Sequence, residues 1–264
     1  MTMNTHTPRK RFGQHFLHDT NVIQNLVAAI APLPTDHLIE IGPGQGALTF
    51  PILQVSGKLE VIELDRDLIP ILTERAKNRG ELIIHQADAL QFDLQRVIHG
   101  NEKLRIIGNL PYNISTPLIF HLLEYAQHIE DMHFMLQKEV VDRLAADRGT
   151  GAYGRLSIMV QYQCEVSSLF DVPPEAFTPP PKVDSSIVRL VPYQTLPHTA
   201  NDYALFASLV KHAFNQRRKT LRNCLKNFVA DWQWDEAQIN STLRPEELSI
   251  EDYVRLSNQL SKQM

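Results

Sequence analysis

Glu40-Ile41-Gly42-Pro43-Gly44-Gln45-Gly46 decides the fold by where it stands: it ends the apolar run His37–Gly42 and precedes the helical stretch Ala47–Val55. Glycines at a strand-to-helix junction let the backbone turn tightly and come close to a ligand. A G-x-G-x-G run alone is weak, since many loops carry one by chance. The sequence on either side of it is regular. Apolar runs at Lys58–Leu64, Glu81–Ala87, Leu104–Asn109 and Asp131–Gln137 alternate with helical stretches at Arg66–Asn78, near Asp93–Ile98, and at Thr116–Ala126. That alternation predicts a parallel sheet with helices on both faces. Upstream, Asp19–Ile30 reads as an amphipathic helix, capped by Asp19 or Thr20 and stopped by Pro32.

Beyond Gln137 the pattern changes. Lys138–Ala146 and Arg155–Gln161 read as helices, with Gly149, Gly151 and Gly154 between them. Glu165–Val172 and Val183–Val191 read as strands joined by a proline-rich turn. That turn leaves no room for a crossover helix, so the two strands are expected to pair antiparallel. Val191–Ala200 contains Pro192 and Pro197 and reads as a linker, followed by helices at Asn201–Phe214, Thr220–Val229 and Glu251–Ser261. The expected architecture is a seven-stranded α/β domain over residues 1–193 and a small all-α domain over residues 194–264.

Composition narrows the function classes. With 264 residues, 43% hydrophobic and 21% charged, the chain has the balance of a globular protein able to bury a large core. Its two cysteines, Cys164 and Cys224, form no C-x-x-C pair, which argues against a zinc site or disulfide framework and fits a reducing compartment. The eleven histidines show no ligand spacing; His121 and His128 are seven apart on a helix surface. No metal requirement is expected. No apolar run reaches the roughly 18 residues of a membrane span. The polar stretch Met1–Arg11 ends in Arg9, Lys10 and Arg11 and lacks the apolar segment of a secretory signal. These readings point to the cytoplasm, and the absence of heptads to a monomer. A net charge of −4 excludes indiscriminate coating of nucleic acid. Lys211, Arg217, Arg218, Lys219, Arg222 and Lys226 nevertheless place six bases in sixteen residues with no acid among them. A basic face on an acidic body suggests a directed contact with a polyanion.

The chemistry is carried by the ends of the expected strands, where an α/β sheet binds its ligands. Glu63 ends the second strand, seventeen residues after Gly46. An acid there can accept from both hydroxyls of a ribose, which supports an adenosine-containing cofactor without choosing between a nicotinamide dinucleotide and S-adenosylmethionine. Asp88 ends the third strand and can accept from an adenine amine, or can serve as a turn or cap residue. Asn109-Leu110-Pro111-Tyr112-Asn113 ends the fourth. Methylating an exocyclic aromatic amine needs its lone pair localised on nitrogen. Two acceptors holding its hydrogens in a pyramidal arrangement do this: the Asn109 side chain and the Leu110 carbonyl supply them. Pro111 stiffens the turn and lacks an N–H. Tyr112 offers a ring on which a splayed base stacks. No charged base is required, because the proton leaves after the nitrogen has become cationic; positioning and dipoles do the catalysis.

With these residues in view, the chain resembles the ribosomal RNA adenine dimethyltransferases, in particular the bacterial small-subunit enzymes that dimethylate two neighbouring adenines near the 3′ end. The likeness runs over the whole chain. Arg11-Phe12-Gly13-Gln14-His15-Phe16-Leu17 is similar to that family's N-terminal cofactor motif, Glu40–Gly46 and Val61–Asp65 to its glycine loop and ribose-binding strand, and Asn109–Asn113 to its catalytic motif. Phe177-Thr178-Pro179-Pro180-Pro181-Lys182-Val183-Asp184-Ser185 and Phe214-Asn215-Gln216-Arg217-Arg218-Lys219-Thr220 resemble its late motifs. The resemblance implies a Rossmann-like S-adenosylmethionine methyltransferase sheet with an antiparallel last strand. It implies cofactor contacts at His15, Leu17, Gly42, Gly44, Glu63, Asp88 and Asn109, and a target base held between Tyr112 and Phe177, a residue that could equally be core. Its substrate would be small-subunit ribosomal RNA in an immature subunit, with methyl transfer by direct displacement at the sulfonium carbon and a second role in subunit biogenesis. Where the family usually has Asn, this chain has His15, whose contact with a cofactor carboxylate would be pH-sensitive. Three rivals share parts of the pattern. A nicotinamide-dependent oxidoreductase leaves Asn109–Tyr112 and the antiparallel end unexplained, the basic C-terminal helices and the whole-chain resemblance favour RNA over the DNA substrate of an adenine methyltransferase, and an assembly factor that binds the immature small subunit does not exclude catalysis and stands beside it as a second role.

Overall fold

The computed structural model describes residues 15–216 and 218–262. The basic trio Arg9–Arg11, the motif residues Arg11–Gln14 and Arg217 lie outside them. The elements in chain order are β1 (Phe16–Leu17), α1 (Thr20–Ile30), β2 (His37–Ile41), α2 (Thr49–Ser56), β3 (Lys58–Glu63), α3 (Ile69–Ala76), β4 (Glu81–Gln86) and β5 (Leu104–Asn109). They continue with α4 (Ser115–Leu123), β6 (Ile129–Gln137), α5 (Lys138–Leu144), α6 (Arg155–Gln161), β7 (Cys164–Val172), β8 (Phe177–Thr178) and β9 (Ser185–Pro192). The last helices are α7 (Tyr203–Ala213), α8 (Leu221–Cys224), α9 (Asp231–Glu236) and α10 (Ile250–Ser261). They form two compact units: residues up to Val141 with Ser167–Pro192, and Asp142–Val166 with everything from Tyr193 onward.

The first unit is built on a seven-stranded sheet of order β4-β3-β2-β5-β6-β9-β7. The strands from β4 to β6 run parallel, and β9 is antiparallel to β6, with Met135 opposite Ile187. β2, β3 and β5 are buried along nearly their whole length, as continuous apolar strands covered on both faces must be. The chain fills β2, β3 and β4 to one side and then returns to lay β5 on the other side of β2. That reversal opens a crevice at the carboxyl ends of β2 and β5. Gly108 lets β5 approach β2 there: a Cβ at this position would lie 2.6 Å from the Ile41 carbonyl oxygen. The core under the crevice contains Leu26 and Ile30 of α1 with Leu38, Leu53, Leu59 and Ile107. Between the two candidate caps of α1, Asp19 is the one used, accepting from the Asn21 and Val22 amides.

One pairing was not foreseen. β1 and β8 form a two-stranded antiparallel sheet, Phe16 opposite Thr178 and Leu17 opposite Phe177. Two residues are too few to show alternation, so no periodicity announces such a strand.

The second unit is helical and larger than the expected residues 194–264, because residues 142–166 join it. The Gln161 carboxamide donates to the Leu144 and Ala146 carbonyls. The Gly149 amide donates to the Glu246 carbonyl, and the Tyr162 and Phe206 rings lie 4.6 Å apart. The expected helix Thr220–Val229 is helical only over Leu221–Cys224. Leu221, Leu225 and Val229 are buried at helical spacing, but Asn223 turns its carboxamide to the Thr220 hydroxyl and the chain goes on in turns. Such local side-chain bonding competes with helix propagation. Of the basic stretch, Lys211, Arg218, Lys219, Arg222 and Lys226 are exposed, and Arg222 is paired with Asp231 at 2.7 Å. Among the described residues no helix is long and apolar enough to cross a membrane.

Candidate active site

A cavity of about 720 Å³ lies at the carboxyl ends of β2, β3, β4 and β5, within the first unit. Its walls bring together His15, Leu17, Gly42, Gly44, Glu63, Asp88 and Asn109 with Leu110, Pro111 and Tyr112. Gly42 and Gly44 adopt φ of +68° and +56°, a left-handed backbone that only glycine enters without strain. The turn they make is tied to β3: the Gly42 amide donates to the Ile62 carbonyl at 3.0 Å, and the Gly44 amide to Glu63 Oε2 at 3.3 Å.

Glu63 is 6% exposed, and its Oε1 accepts from the Asp65 amide at 2.7 Å. Burial raises its pKa, against the pull of those amides. Each carboxylate oxygen has two acceptor sites, so both can still take a hydroxyl. Asp88 does what a turn residue does, accepting from the Leu90 amide at 3.0 Å, and it also lines the cavity.

Asn109 is the last residue of β5. Its Nδ2 donates to the His15 carbonyl at 3.1 Å, which leaves Oδ1 as the acceptor on a side chain that lines the cavity. The next peptide is fixed as well, with the Leu110 amide donating to the Met135 carbonyl at 3.2 Å. Tyr112 follows Pro111 and stacks on His15, ring centroids 5.8 Å apart and planes 24° apart. Its hydroxyl is 2.8 Å from the Ser185 hydroxyl. The His15 ring reaches the Pro179 carbonyl through Nδ1 at 2.7 Å, so that nitrogen is the donor.

Phe177 is the site residue expected from the sequence that stands apart. It is 2% exposed, belongs to the hydrophobic core and does not line the cavity. The physical reason is its place in β8, where it pairs with Leu17 and faces inward.

Glu40, which opens the glycine run, also belongs to the site. It is 2% exposed, lines the cavity, and accepts from the Thr49 hydroxyl at 2.6 Å. Burial pushes its pKa to about 8, with the nearby Glu63 adding to the rise. Its position as the acid that opens the glycine run was the signal available. A carboxyl whose folded pKa exceeds its unfolded one stabilises the fold fully below the unfolded value, and that contribution is lost as pH rises through the folded one. Stability is therefore expected to fall between about pH 4.5 and pH 8. Glu40→Gln keeps the acceptor for Thr49 and removes the titration. Thermal melts should show the variant gaining on the wild type as pH goes from 5 to 8.5; a constant difference would contradict this account.

The family model described as ribosomal RNA adenine dimethylase matches residues 5–262. A Pseudomonas aeruginosa protein named ribosomal RNA small subunit methyltransferase A is 57% identical over 257 residues, covering 97% of this chain and 96% of its own. A Chromohalobacter salexigens protein of the same name is 57% identical over 261 residues, covering 97% and 93%. Among solved structures, a dimethyladenosine transferase from Plasmodium falciparum is 25% identical with a TM-score of 0.80, covering 94% of this chain and 98% of that one. The 23S rRNA methyltransferase ErmE, 24% identical, shares the fold with a TM-score of 0.74, covering 93% and 99%. The chain belongs to the ribosomal RNA adenine dimethylase family, whose members are S-adenosylmethionine-dependent methyltransferases.

Proposed function

We propose that the protein dimethylates the exocyclic amines of two adjacent adenines near the 3′ end of small-subunit ribosomal RNA. The observation that carries the reading is Asn109: it lines the cavity at the end of β5, and its amide nitrogen donates to the His15 carbonyl, which leaves its oxygen as the acceptor for the target amine.

S-adenosylmethionine supplies, when bound, an electrophilic methyl group. The residues of the cavity fit it. Gly42 and Gly44 allow close approach of the backbone, Glu63 takes the ribose hydroxyls, and Asp88 takes the amine of the cofactor's adenine. His15 and Leu17 border the amino-acid part. Asn109 Oδ1 and the Leu110 carbonyl hold the two hydrogens of the target amine, which localises its lone pair. Pro111 keeps that turn rigid, and Tyr112 stacks the base at about 1–3 kcal/mol. The substrate is the RNA of an immature small subunit, met in the cytoplasm by a monomer. The exposed bases of the second unit contribute salt-dependent contacts with phosphates. Holding that subunit also gives the protein a second role in its biogenesis.

Methyl transfer from radiolabelled S-adenosylmethionine to small subunits lacking the modification tests the reading, with DNA and bulk RNA alongside and products resolved as nucleosides. Dimethyladenosine in small-subunit RNA alone is expected. Label in DNA would transfer the activity to that substrate, and no label with cofactor binding intact would leave only a binding role. Glu63→Ala should weaken binding of S-adenosylhomocysteine by roughly 10- to 150-fold, as hydrogen bonds to a charged group are worth about 1.5–3 kcal/mol. Calorimetric titration reads this directly, and an unchanged affinity would remove Glu63 from the ribose site.

A further inference from the structure

Tyr112 is held at two places. Its hydroxyl meets the Ser185 hydroxyl at 2.8 Å, and one face of its ring lies against His15. Both holders are themselves fixed. Ser185 opens β9, is 0% exposed, and pairs in register with Gln137 of β6. The Lys138 amide donates to the carbonyl of the preceding Asp184 at 2.9 Å. The His15 ring is tied to Pro179. A phenol ring free at its hydroxyl end swings between side-chain rotamers. With that end bonded the ring axis keeps one direction, and with His15 stacked against one face the ring offers its other face to a partner.

We infer that Ser185 is a positioning residue for methyl transfer: its hydroxyl fixes the direction in which the Tyr112 ring points, and with His15 against one face a splayed base has a single face on which to stack, with its amine toward Asn109. This rests on the reading of Tyr112 as the base platform. Loss of the anchor leaves the platform in place but lets the base rock, so the amine spends less time at the Asn109 oxygen. Small misplacements of a reacting group can cost up to about 100-fold in rate. The effect therefore falls on kcat more than on KM, and not on the cofactor.

The test uses the full chain and small ribosomal subunits lacking the modification, with S-adenosylhomocysteine affinity measured separately. Ser185→Ala and Tyr112→Phe are each expected to lower kcat by about 10-fold, with cofactor affinity within about twofold of wild type. The double variant should be no slower than either single one, because both remove the same hydrogen bond. Additive losses, or weakened cofactor binding by Ser185→Ala, would mark Ser185 as merely structural and overturn the inference. So would near-wild-type kcat in Ser185→Ala while Tyr112→Ala is inactive, and that outcome would leave the proposed function standing. An active Tyr112→Ala would instead remove the platform itself. If Ser185→Ala does not fold, Tyr112→Phe deletes the same bond from the cavity side, and its full activity would suffice to refute the anchor.

Discussion

Asn109→Ala is expected to lower methyl transfer to unmodified small subunits by about 10²–10³-fold, the loss typical of removing one preorganised dipole aimed at developing charge. The substitution removes two things at once. The acceptor for one amine hydrogen disappears, so the lone pair stays delocalised in the purine ring. The bond from Nδ2 to the His15 carbonyl is lost too, which frees the strand that leads into Phe16 and Leu17. Asn109→Asp separates these effects. It keeps a side-chain oxygen but, as a carboxylate, cannot donate to His15, and it adds a negative charge to a cavity that the buried Glu40 and Glu63 also line. The alanine variant should still bind S-adenosylhomocysteine, because Glu63, Asp88 and the glycine turn remain. Activity within tenfold of wild type in the alanine variant would remove Asn109 from the chemistry.

The parallel part of the fold was legible because each central strand is a continuous apolar run and each helix between them has its own period. Glu63, Asp88 and Asn109 were legible for the same reason: an α/β sheet gathers the residues that end its strands, and those three end β3, β4 and β5 or stand just beyond. What stayed hidden depends on contacts between distant segments. The pairing of β1 with β8 joins residues about 160 apart through two residues each, and it decides that Phe177 faces the core. The bond between Tyr112 and Ser185 spans 73 positions and joins two motifs that nothing in the sequence pairs with each other. Residues 142–166 carry helix signals but no sign of which core they join. Gly149, whose amide donates to the Glu246 carbonyl and so ties them to the later helices, reads in the sequence as a loop glycine.

Arg105→Met should cost about 3–5 kcal/mol of stability, the largest loss expected from any single change in this sheet, because it strips the partner from a buried carboxylate. Arg105 sits near the start of β5, 8% exposed, and its guanidinium meets both oxygens of Asp131 at 2.9 Å. It also reaches Asp36 Oδ2 at 2.6 Å and the Ile30 carbonyl at 2.7 Å. Those two carboxylates hold the guanidinium's pKa above its usual value despite burial. Asp131 is 2% exposed and has little else to turn to. The neighbouring His133 is pushed down to about 4 by burial and is neutral at pH 7, and Arg189 stands 3.6 Å away at the surface. Methionine fills the volume but leaves the buried Asp131 charge with only the longer, half-exposed contact to Arg189. Urea unfolding should register the loss, and Asp131→Asn added to Arg105→Met should recover part of it, since the stranded charge is then gone. Asn109 lies four residues further along the same strand, roughly 13 Å at about 3.3 Å per residue. The folded fraction of Arg105→Met, assayed in the cold, should therefore keep near-normal kcat. A loss of less than about 1 kcal/mol, or a dead but fully folded variant, would break this division of β5 into an end that holds the sheet and an end that carries the chemistry.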